Sequence, residues 1–340
     1  MFTSVTLKNF GPIRDLSWKG MGGINVVLGR NGSGKTFLLK AMYALHKTLE
    51  DYGRGNDIRE ASEILSDRLY WTFQTQKIGD IVSKGASDQL KMKANFDTEG
   101  HFGFHFGRDT SKYITIDNSI KTRPMTQRAV FLPAKEVLSL LGVILKSRDD
   151  DRSFGFDDTY VDLARILSQP PLGGRNFDAF AKARRELAKQ LEGKIEFDEQ
   201  LKSWRFKNSK QQIFDIGVTA EGVKKLAILD VLLGNRYLTQ KSVVFIDEPE
   251  NALHPSAISH LLDTIEVLAE SGIQFFLATH SYFVVKKLFL MAQKKPGLSI
   301  PLLSAEADNI WHSFDLKDDM PKNPIIDESI RLYEQQLELA

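Results

Sequence analysis

At 340 residues the chain has room for a large core, and its 45 Lys and Arg against 44 Asp and Glu leave a formal net charge of +1, so any charged contact surface must be local. It contains no cysteine, which excludes a disulfide framework and cysteine-ligated zinc. The N-terminus shows no charged segment followed by a long apolar run, and no stretch of about 18 apolar residues occurs; the expectation is a cytoplasmic protein without membrane contact.

Val5, Leu7 and Phe10, then Ile13, Leu16 and Trp18, predict two short strands hinged at Gly11-Pro12. They lead into Gly23-Ile24-Asn25-Val26-Val27-Leu28, an apolar run suited to a buried strand, and then into Gly29-Arg30-Asn31-Gly32-Ser33-Gly34-Lys35-Thr36. The last eight residues are a full G-x-x-x-x-G-K-[ST] phosphate loop, and Phe37, Leu38, Ala41, Met42 and Leu45 recur at the helical spacing the motif requires. Its glycines let successive backbone N–H groups turn inward on phosphate oxygens, and the helix directs its positive dipole end at the same point. Lys35 then reaches the β- and γ-phosphates of a nucleoside triphosphate, and the Thr36 hydroxyl ligates Mg²⁺. The bland alternative, a chance glycine-rich turn, does not account for the strand and helix on either side.

A helix is predicted from about Thr36 to Leu49, a loop over Asp51–Asp57, and a second helix from about Ile58 to Gln76. Leu90–Phe96, His101–Phe106 and Lys112–Ile116 follow, separated by Asp97-Thr98-Glu99-Gly100 and Gly107-Arg108-Asp109-Thr110, and read as an antiparallel meander. The alternation of Phe102, Phe104 and Phe106 favours one buried sheet face over nucleobase stacking. Ala129–Pro133 predicts another core strand. Leu138–Leu145 and Phe177–Leu191 are amphipathic helical segments, interrupted by the acidic run Asp149-Asp150-Asp151 and the loop Pro170-Pro171-Leu172-Gly173-Gly174. Lys182, Arg184, Arg185 and Lys189 read as a solvated helix face ahead of a phosphate-backbone contact. A β-hairpin over about Lys194–Asp215 closes this helical lobe.

Ser242-Val243-Val244-Phe245-Ile246-Asp247-Glu248 is an apolar strand ending in two carboxylates, the Walker B pattern. Asp247 would hold Mg²⁺ directly or through water, and Glu248 would accept a proton from the attacking water. Gln274–Ser281 is a second apolar strand ending near His280, and between the two Ile258, Leu261, Leu262, Ile265, Leu268 and Ala269 form a helical stripe ended by Gly272. Strand, helix and strand in this order direct Asp247, Glu248 and His280 to the edge of a parallel sheet. His280 is a candidate for bonding the γ-phosphate or the attacking water.

Three segments together resemble the ABC-type ATPases of the RecF, SMC and OLD-nuclease group: Gly29–Thr36; Val243–Glu248 continuing as Pro249-Glu250-Asn251-Ala252-Leu253-His254-Pro255; and Ala278-Thr279-His280-Ser281. The D-E-P-E-x-x-L-H-P form is particularly similar to the ATPase portion of OLD-family proteins, as is the opening Leu7-Lys8-Asn9-Phe10. The resemblance runs from residue 1 to about 290 and implies an α/β P-loop NTPase fold, an ABC/RecF-like head with an inserted β-meander and a helical lobe. It further implies hydrolysis of ATP with Mg²⁺ between two heads, each site completed by a signature segment of the opposite head. The candidate signature is Thr219-Ala220-Glu221-Gly222 and the helix after it. Gly222 matches the second glycine of L-S-G-G-[QE], whereas Ala220 stands where the serine belongs unless Thr219 takes that role. The slot of the family's glutamine loop reads Pro133-Ala134-Lys135-Glu136, with Lys135 or Glu136 as substitutes.

The expected organisation is an N-terminal ATPase lobe over 1–136, an inserted helical lobe and hairpin over 137–215, a C-terminal ATPase lobe over 216–304, and a tail over 305–340. The middle is too short for SMC arms and lacks a hook cysteine. Some 60 residues follow His280, with Asp315, Asp318 and Asp319 read as a solvated turn rather than the metal set of the TOPRIM nuclease that OLD proteins append. The tail from Pro324 to Leu339 predicts a final strand or turn and an amphipathic helix. The implied partners are a second copy, as homodimer or higher homo-oligomer, and a separately encoded effector, with nucleic acid left open. The implied role is that of sensor and regulator in bacterial anti-phage defence; a RecF-like DNA-repair ATPase is the alternative, and a catalytically weak scaffold or a transporter's nucleotide-binding subunit are lesser ones.

Overall fold

The computed structural model describes residues 1–97, 100–120, 124–170, 177–201, 203–306 and 310–339. Its contacts divide the chain into two units, Met1–Thr126 with Phe276–Ala340, and Gln127–Phe275.

The first unit opens with β1 (Phe2–Phe10) and β2 (Ile13–Lys19), which pair antiparallel with Val5 opposite Trp18 and Leu7 opposite Leu16, as their period-two pattern requires. The fully buried β3 (Ile24–Leu28) runs into the phosphate loop and α1 (Lys35–Asp51). A reciprocal capping box between Glu60 and Glu63 starts α2 (Ala61–Phe73), which packs on α1 with the Phe37 and Phe73 rings 4.4 Å apart. The meander is present as β4 (Leu90–Phe96), β5 (Gly100–Phe106) and β6 (Thr115–Asn118), and β4 also pairs with β1, so all five strands form one sheet in the order β2-β1-β4-β5-β6. Phe102, Phe104 and Phe106 line its buried face, with Phe104 and Phe106 stacked, so their alternation is packing. The third strand starts at Thr115 rather than Lys112, because Tyr113 points to solvent and pairing with β5 begins only at Thr115 opposite His105. Thr98 and Glu99 of the predicted turn lie outside the described residues.

In the second unit β7 (Ala129–Leu132) is followed by α3 (Leu141–Asp149), which begins three residues later than expected because the Glu136 carboxylate accepts the Ser139 N–H and turns the chain there. A helix not anticipated from the pattern, α4 (Asp158–Leu167), is capped by Asp157, whose carboxylate accepts the Thr159 N–H at 2.8 Å, and it buries Val161, Leu163, Ala164 and Leu167. Most of the predicted loop at 170–174 lies outside the described residues. After α5 (Asp178–Gln190) the expected hairpin is a three-stranded sheet in the order β10-β9-β8, from β8 (Gly193–Asp198), β9 (Ser203–Asn208) and β10 (Ile213–Asp215). All three residues of β10 are exposed, so no alternation betrays it. Buried Trp204 pins this sheet by donating from its ring N–H to the Leu167 carbonyl at 2.7 Å. Arg184 is not on a free phosphate-binding face, since it forms a two-pronged ion pair with Asp230. The helix α6 (Glu221–Gly234) leads to β11 (Val243–Asp247), which lies parallel to β7 with Val243 opposite Ala129 and Ile246 opposite Leu132, and then to α7 (Pro255–Glu270).

The strand β12 (Gln274–Thr279) carries the chain back to the first unit, where α8 (Tyr282–Lys294), β13 (Pro301–Ala305), β14 (Trp311–Asp315) and α9 (Pro324–Glu338) complete it. β13 pairs parallel with β3, Leu302 opposite Val26 and Ser304 opposite Leu28, and antiparallel with β14. The Asp315 carboxylate accepts the N–H groups of Ile300 and Lys317, which makes it a turn residue as expected. Among the described residues no helix is long and apolar enough to cross a membrane.

Candidate functional site

In the first unit, the phosphate loop connects β3 to α1, and the chain can make the bend because Gly32 and Gly34 take φ of 79° and 96°, values that side-chain-bearing residues avoid. Gly34 occupies the N-cap position of α1 and so brings no side-chain cap, and the first turn holds no acidic residue. Asp157, His254, Ser281 and Asn323 cap α4, α7, α8 and α9 through their side chains, while α3, α5 and α6 also lack such a cap, so it is the left-handed glycine loop ahead of α1 that sets its N-terminus apart. The start of α1 is thus an N-terminus built to meet an anion. Lys35 is buried, and its ammonium donates to the loop carbonyls of Gly29 at 2.7 Å and Arg30 at 3.0 Å, which holds the loop closed around it. The Ser33 hydroxyl, on a residue only 8% exposed, has no hydrogen-bond partner among the described residues, an arrangement a phosphate oxygen would satisfy. Thr36 follows Lys35 in the first turn of α1.

Replacing Gly34 with alanine should destabilise the unit. The new Cβ would sit 3.0 Å from Pro12 Cγ on a backbone at φ 96°. The expected cost is about 1–2 kcal/mol, read as a lower thermal midpoint. An unchanged midpoint would mean that the loop relaxes without loss.

His280 also belongs to the first unit, exposed directly after the buried Thr279 at the end of β12. The next residue, Ser281, donates its N–H to the Thr279 hydroxyl and caps α8. This fixes the backbone on both sides of the histidine.

The second unit holds the carboxylates. Asp247 is the last residue of β11 and buried; Glu248 is half-buried and adopts a left-handed backbone, φ 50°, immediately before Pro249. Non-glycine residues hold that conformation only where their surroundings impose it, and such residues concentrate at functional sites. The Glu248 carbonyl accepts the Asn251 N–H at 3.0 Å, closing a turn, and also accepts from the Lys225 ammonium. The Asn251 side chain donates to the Ala134 carbonyl at 3.0 Å. His254 caps α7 by accepting the Ser256 N–H, with Pro255 at the first helical position, so the His-Pro end of the motif serves to launch a helix. Burial drives the Lys225 ammonium down to about 8 against the opposing pull of Glu250, Asp247 and Glu248. Tyr160 is pushed up to about 12, first by burial and then by Asp157 and Asp247.

The signature-like segment precedes α6. Gly222 packs so closely on the turn after Pro249 that a Cβ there would lie 2.9 Å from the Ala252 carbonyl oxygen. Ala220 is exposed, while the Thr219 hydroxyl donates to the Ile216 carbonyl at 2.7 Å. Glu221 is exposed and binds Lys224. In the glutamine-loop slot, Lys135 is exposed and Glu136 pairs with Lys224 at 3.5 Å. A cavity of about 290 Å³ opens here, lined by Leu132, Lys135, Glu136, Glu221, Lys225 and Asn251 among others. Lys225 and Asn251 carry no role in the sequence reading; two lysines opening an otherwise apolar helix, with an acidic Asp-Glu-Pro-Glu run elsewhere in the chain, were the available signal. Among the described residues no group of three or more His, Asp and Glu gathers as a cation site. A nucleotide-borne Mg²⁺ needs no such cage, drawing on phosphates, water and one or two protein oxygens.

Several known proteins are similar to this chain. Residues 133–286 match the family described as "AAA domain, putative AbiEii toxin, Type IV TA system". A stretch of 40 residues, 12% of this chain, is 50% identical to the Old nuclease of Escherichia phage P2 and spans only 7% of that protein's length. An ATP/GTP phosphatase of Helicobacter pylori is 22% identical, with 87% of this chain and 89% of that protein covered. Among solved structures, an Smc head bound to the C-winged helix domain of ScpA is similar at a TM-score of 0.55 and 13% identity, covering 92% of this chain and 97% of that one. An Smc head domain with an extended coiled coil, bound to the C-terminal domain of ScpA derived from Pyrococcus furiosus, gives a TM-score of 0.51 at 11% identity, with 98% of each chain covered. The fold is therefore that of an ABC-type ATPase head, and the chain is an ATPase consistent with the OLD/RecF/SMC-like group.

Proposed function

We propose that this ATPase binds ATP-Mg²⁺ at a head-to-head dimer interface and acts in the cytoplasm as sensor and regulator of a separately encoded effector, such as a nuclease, in bacterial anti-phage defence. The observation that carries the nucleotide assignment is the phosphate loop: an uncapped helix start, two left-handed glycines, and the unpartnered Ser33 hydroxyl. In this reading Gly29, Arg30, Asn31, Gly32, Ser33 and Gly34 wrap the phosphates with backbone N–H groups, and Lys35 neutralises their charge. Thr36 and Asp247 would hold Mg²⁺, which supplies charge neutralisation at the β- and γ-phosphates when bound. Glu248 takes the proton of the attacking water and His280 bonds the γ-phosphate or that water. Thr219, Ala220, Glu221 and Gly222 complete the site of a second copy. The lobes proposed for these tasks are 1–136 and 216–304, with 137–215 and 305–340 as accessory segments.

The regulatory role draws on the resemblance to the Old nuclease and on the toxin–antitoxin description of the matching family. Its test is the mass of native complexes recovered with this chain from its host, with and without ATP. A second protein in fixed ratio supports the effector reading, and an ATP-dependent homodimer carrying DNA overturns it in favour of the RecF-like alternative. One feature favours that alternative. On the outer face of the five-stranded sheet, exposed Lys8 lies opposite exposed Lys91, and Lys91 opposite His105, beside a hollow of about 320 Å³ over Gly103. Cations directly opposite each other disfavour the sheet; Asp88, 3.6 Å from Lys8, and Asp15, opposite it on β2, offset part of that charge, and a polyanion would offset more. Steeply salt-dependent nucleic-acid binding, flattened by Lys8→Glu and Lys91→Glu, would establish it.

A further inference from the structure

The Glu248 peptide is held in a conformation its sequence disfavours. Its φ of 50° is left-handed, in a residue that has a Cβ and precedes a proline. Two donors converge on its carbonyl. One is the Asn251 N–H at 3.0 Å, a local turn bond. The other is the ammonium of Lys225, 23 residues earlier in the chain and only 8% exposed. A charge-assisted bond from a buried cation is stronger than a neutral one, and a cation so placed has no cheap alternative in water. The same turn is tied on a second side by Asn251 to the Ala134 carbonyl, and on a third by the close packing of Gly222 on Ala252. Lys225 and Gly222 both lie in the first turns of α6, so the segment that opens this helix and the peptide of Glu248 share one rigid connection.

We propose that Lys225 is a positioning residue for the hydrolytic step: by gripping the Glu248 carbonyl it locks the left-handed peptide, aims the Glu248 carboxylate, and links that aim to the signature-like segment at the start of α6. The proposal rests on the reading of Glu248 as general base. Lys225 itself touches neither nucleotide nor water in this role. It acts through Glu248, and its loss is felt in turnover rather than in ATP binding.

The test compares Lys225→Met and Lys225→Arg, alone and combined with Glu248→Gln, by phosphate release and by equilibrium binding of a fluorescent ATP analogue. Lys225→Met should lower kcat about 10- to 100-fold, the scale of a small misplacement of a catalytic group, with the analogue's Kd changed less than about twofold. Lys225→Arg, which keeps a cationic donor, should recover most of the rate. In the Glu248→Gln background Lys225→Met should have no further effect, because the group it positions is already disabled. A kcat for Lys225→Met equal to that of the unchanged protein overturns the proposal, as does an equal fractional loss in the Glu248→Gln background. If Lys225→Met does not fold, Lys225→Gln, too short to reach the carbonyl, is read by the same criteria. Failure of the premise is separate: Glu248→Gln alone would then leave phosphate release unchanged, before any Lys225 variant is measured.

Discussion

Glu248→Gln is expected to reduce kcat for ATP hydrolysis by about 10²- to 10⁴-fold, the usual contribution of a positioned general base, while ATP still binds. The substitution keeps the shape of the side chain and its capacity to hydrogen-bond water. It removes only the ability to take a proton. The backbone reason to expect so selective an effect is that the Glu248 peptide is fixed by contacts to its carbonyl, from Asn251 and Lys225, which an amide side chain leaves in place. Binding energy should therefore be preserved and the loss confined to the transition state. If ATP draws two heads together, the variant accumulates the ATP-bound dimer and lengthens its lifetime, seen by light scattering after ATP addition. A normal rate of phosphate release would move the base elsewhere. A slow rate with an unchanged dimer lifetime would favour the scaffold reading, in which ATP is held and hydrolysis does not time the assembly.

What the sequence made legible divides along a physical line. The phosphate loop and the β11 carboxylates were readable because backbone N–H cradles and strand-end acids need particular residue types in contiguous order, and the flanking β3, α1 and α7 advertise themselves by burial period. The meander was readable from its turn chemistry, down to the bounds of β4. Elements whose partners are distant in sequence were not. β13 takes its place by pairing with β3, Leu302 opposite Val26, 276 residues away, and nothing in Pro301–Ala305 announces that. α4 hides behind the acidic run Asp149–Asp151, since its capping Asp157 reads as more of the same loop. The exposed β10 has no buried face to impose a pattern. Lys225 was illegible for the plainest reason: its partner is a backbone carbonyl, which every residue has.

The second large effect concerns stability. Glu50→Gln should destabilise the fold by about 3–5 kcal/mol, the cost of removing one member of a buried ion pair. Near the C-terminal end of α1 three ionisable side chains are buried together: His46, Lys47 and Glu50 are 0%, 6% and 5% exposed. The Lys47 ammonium lies 2.6 Å from one Glu50 carboxylate oxygen and His46 Nδ1 lies 3.2 Å from the other. Burial alone would raise the Glu50 carboxyl, yet Lys47, followed by the His46 hydrogen bond, brings it down to about 2 from 4.5. A displacement of that size, at 1.36 kcal/mol per unit, is on the order of a few kcal/mol. Because the folded value is depressed, the contribution is complete above pH 4.5 and is lost as pH falls toward 2. His46, lowered from 6.5 mainly by burial, works in the same direction, since the unfolded chain takes up its proton first as pH falls below 6.5. Denaturant titrations at pH 7, 4.5 and 3 should show the variant less stable at pH 7, with the gap to the unchanged protein narrowing toward pH 3. An equal stability at pH 7, or a gap constant with pH, would show that Glu50 does not stabilise α1 as a carboxylate. Since α1 begins at the phosphate loop, the loss should be partly recovered by saturating ATP, which binds only the folded state.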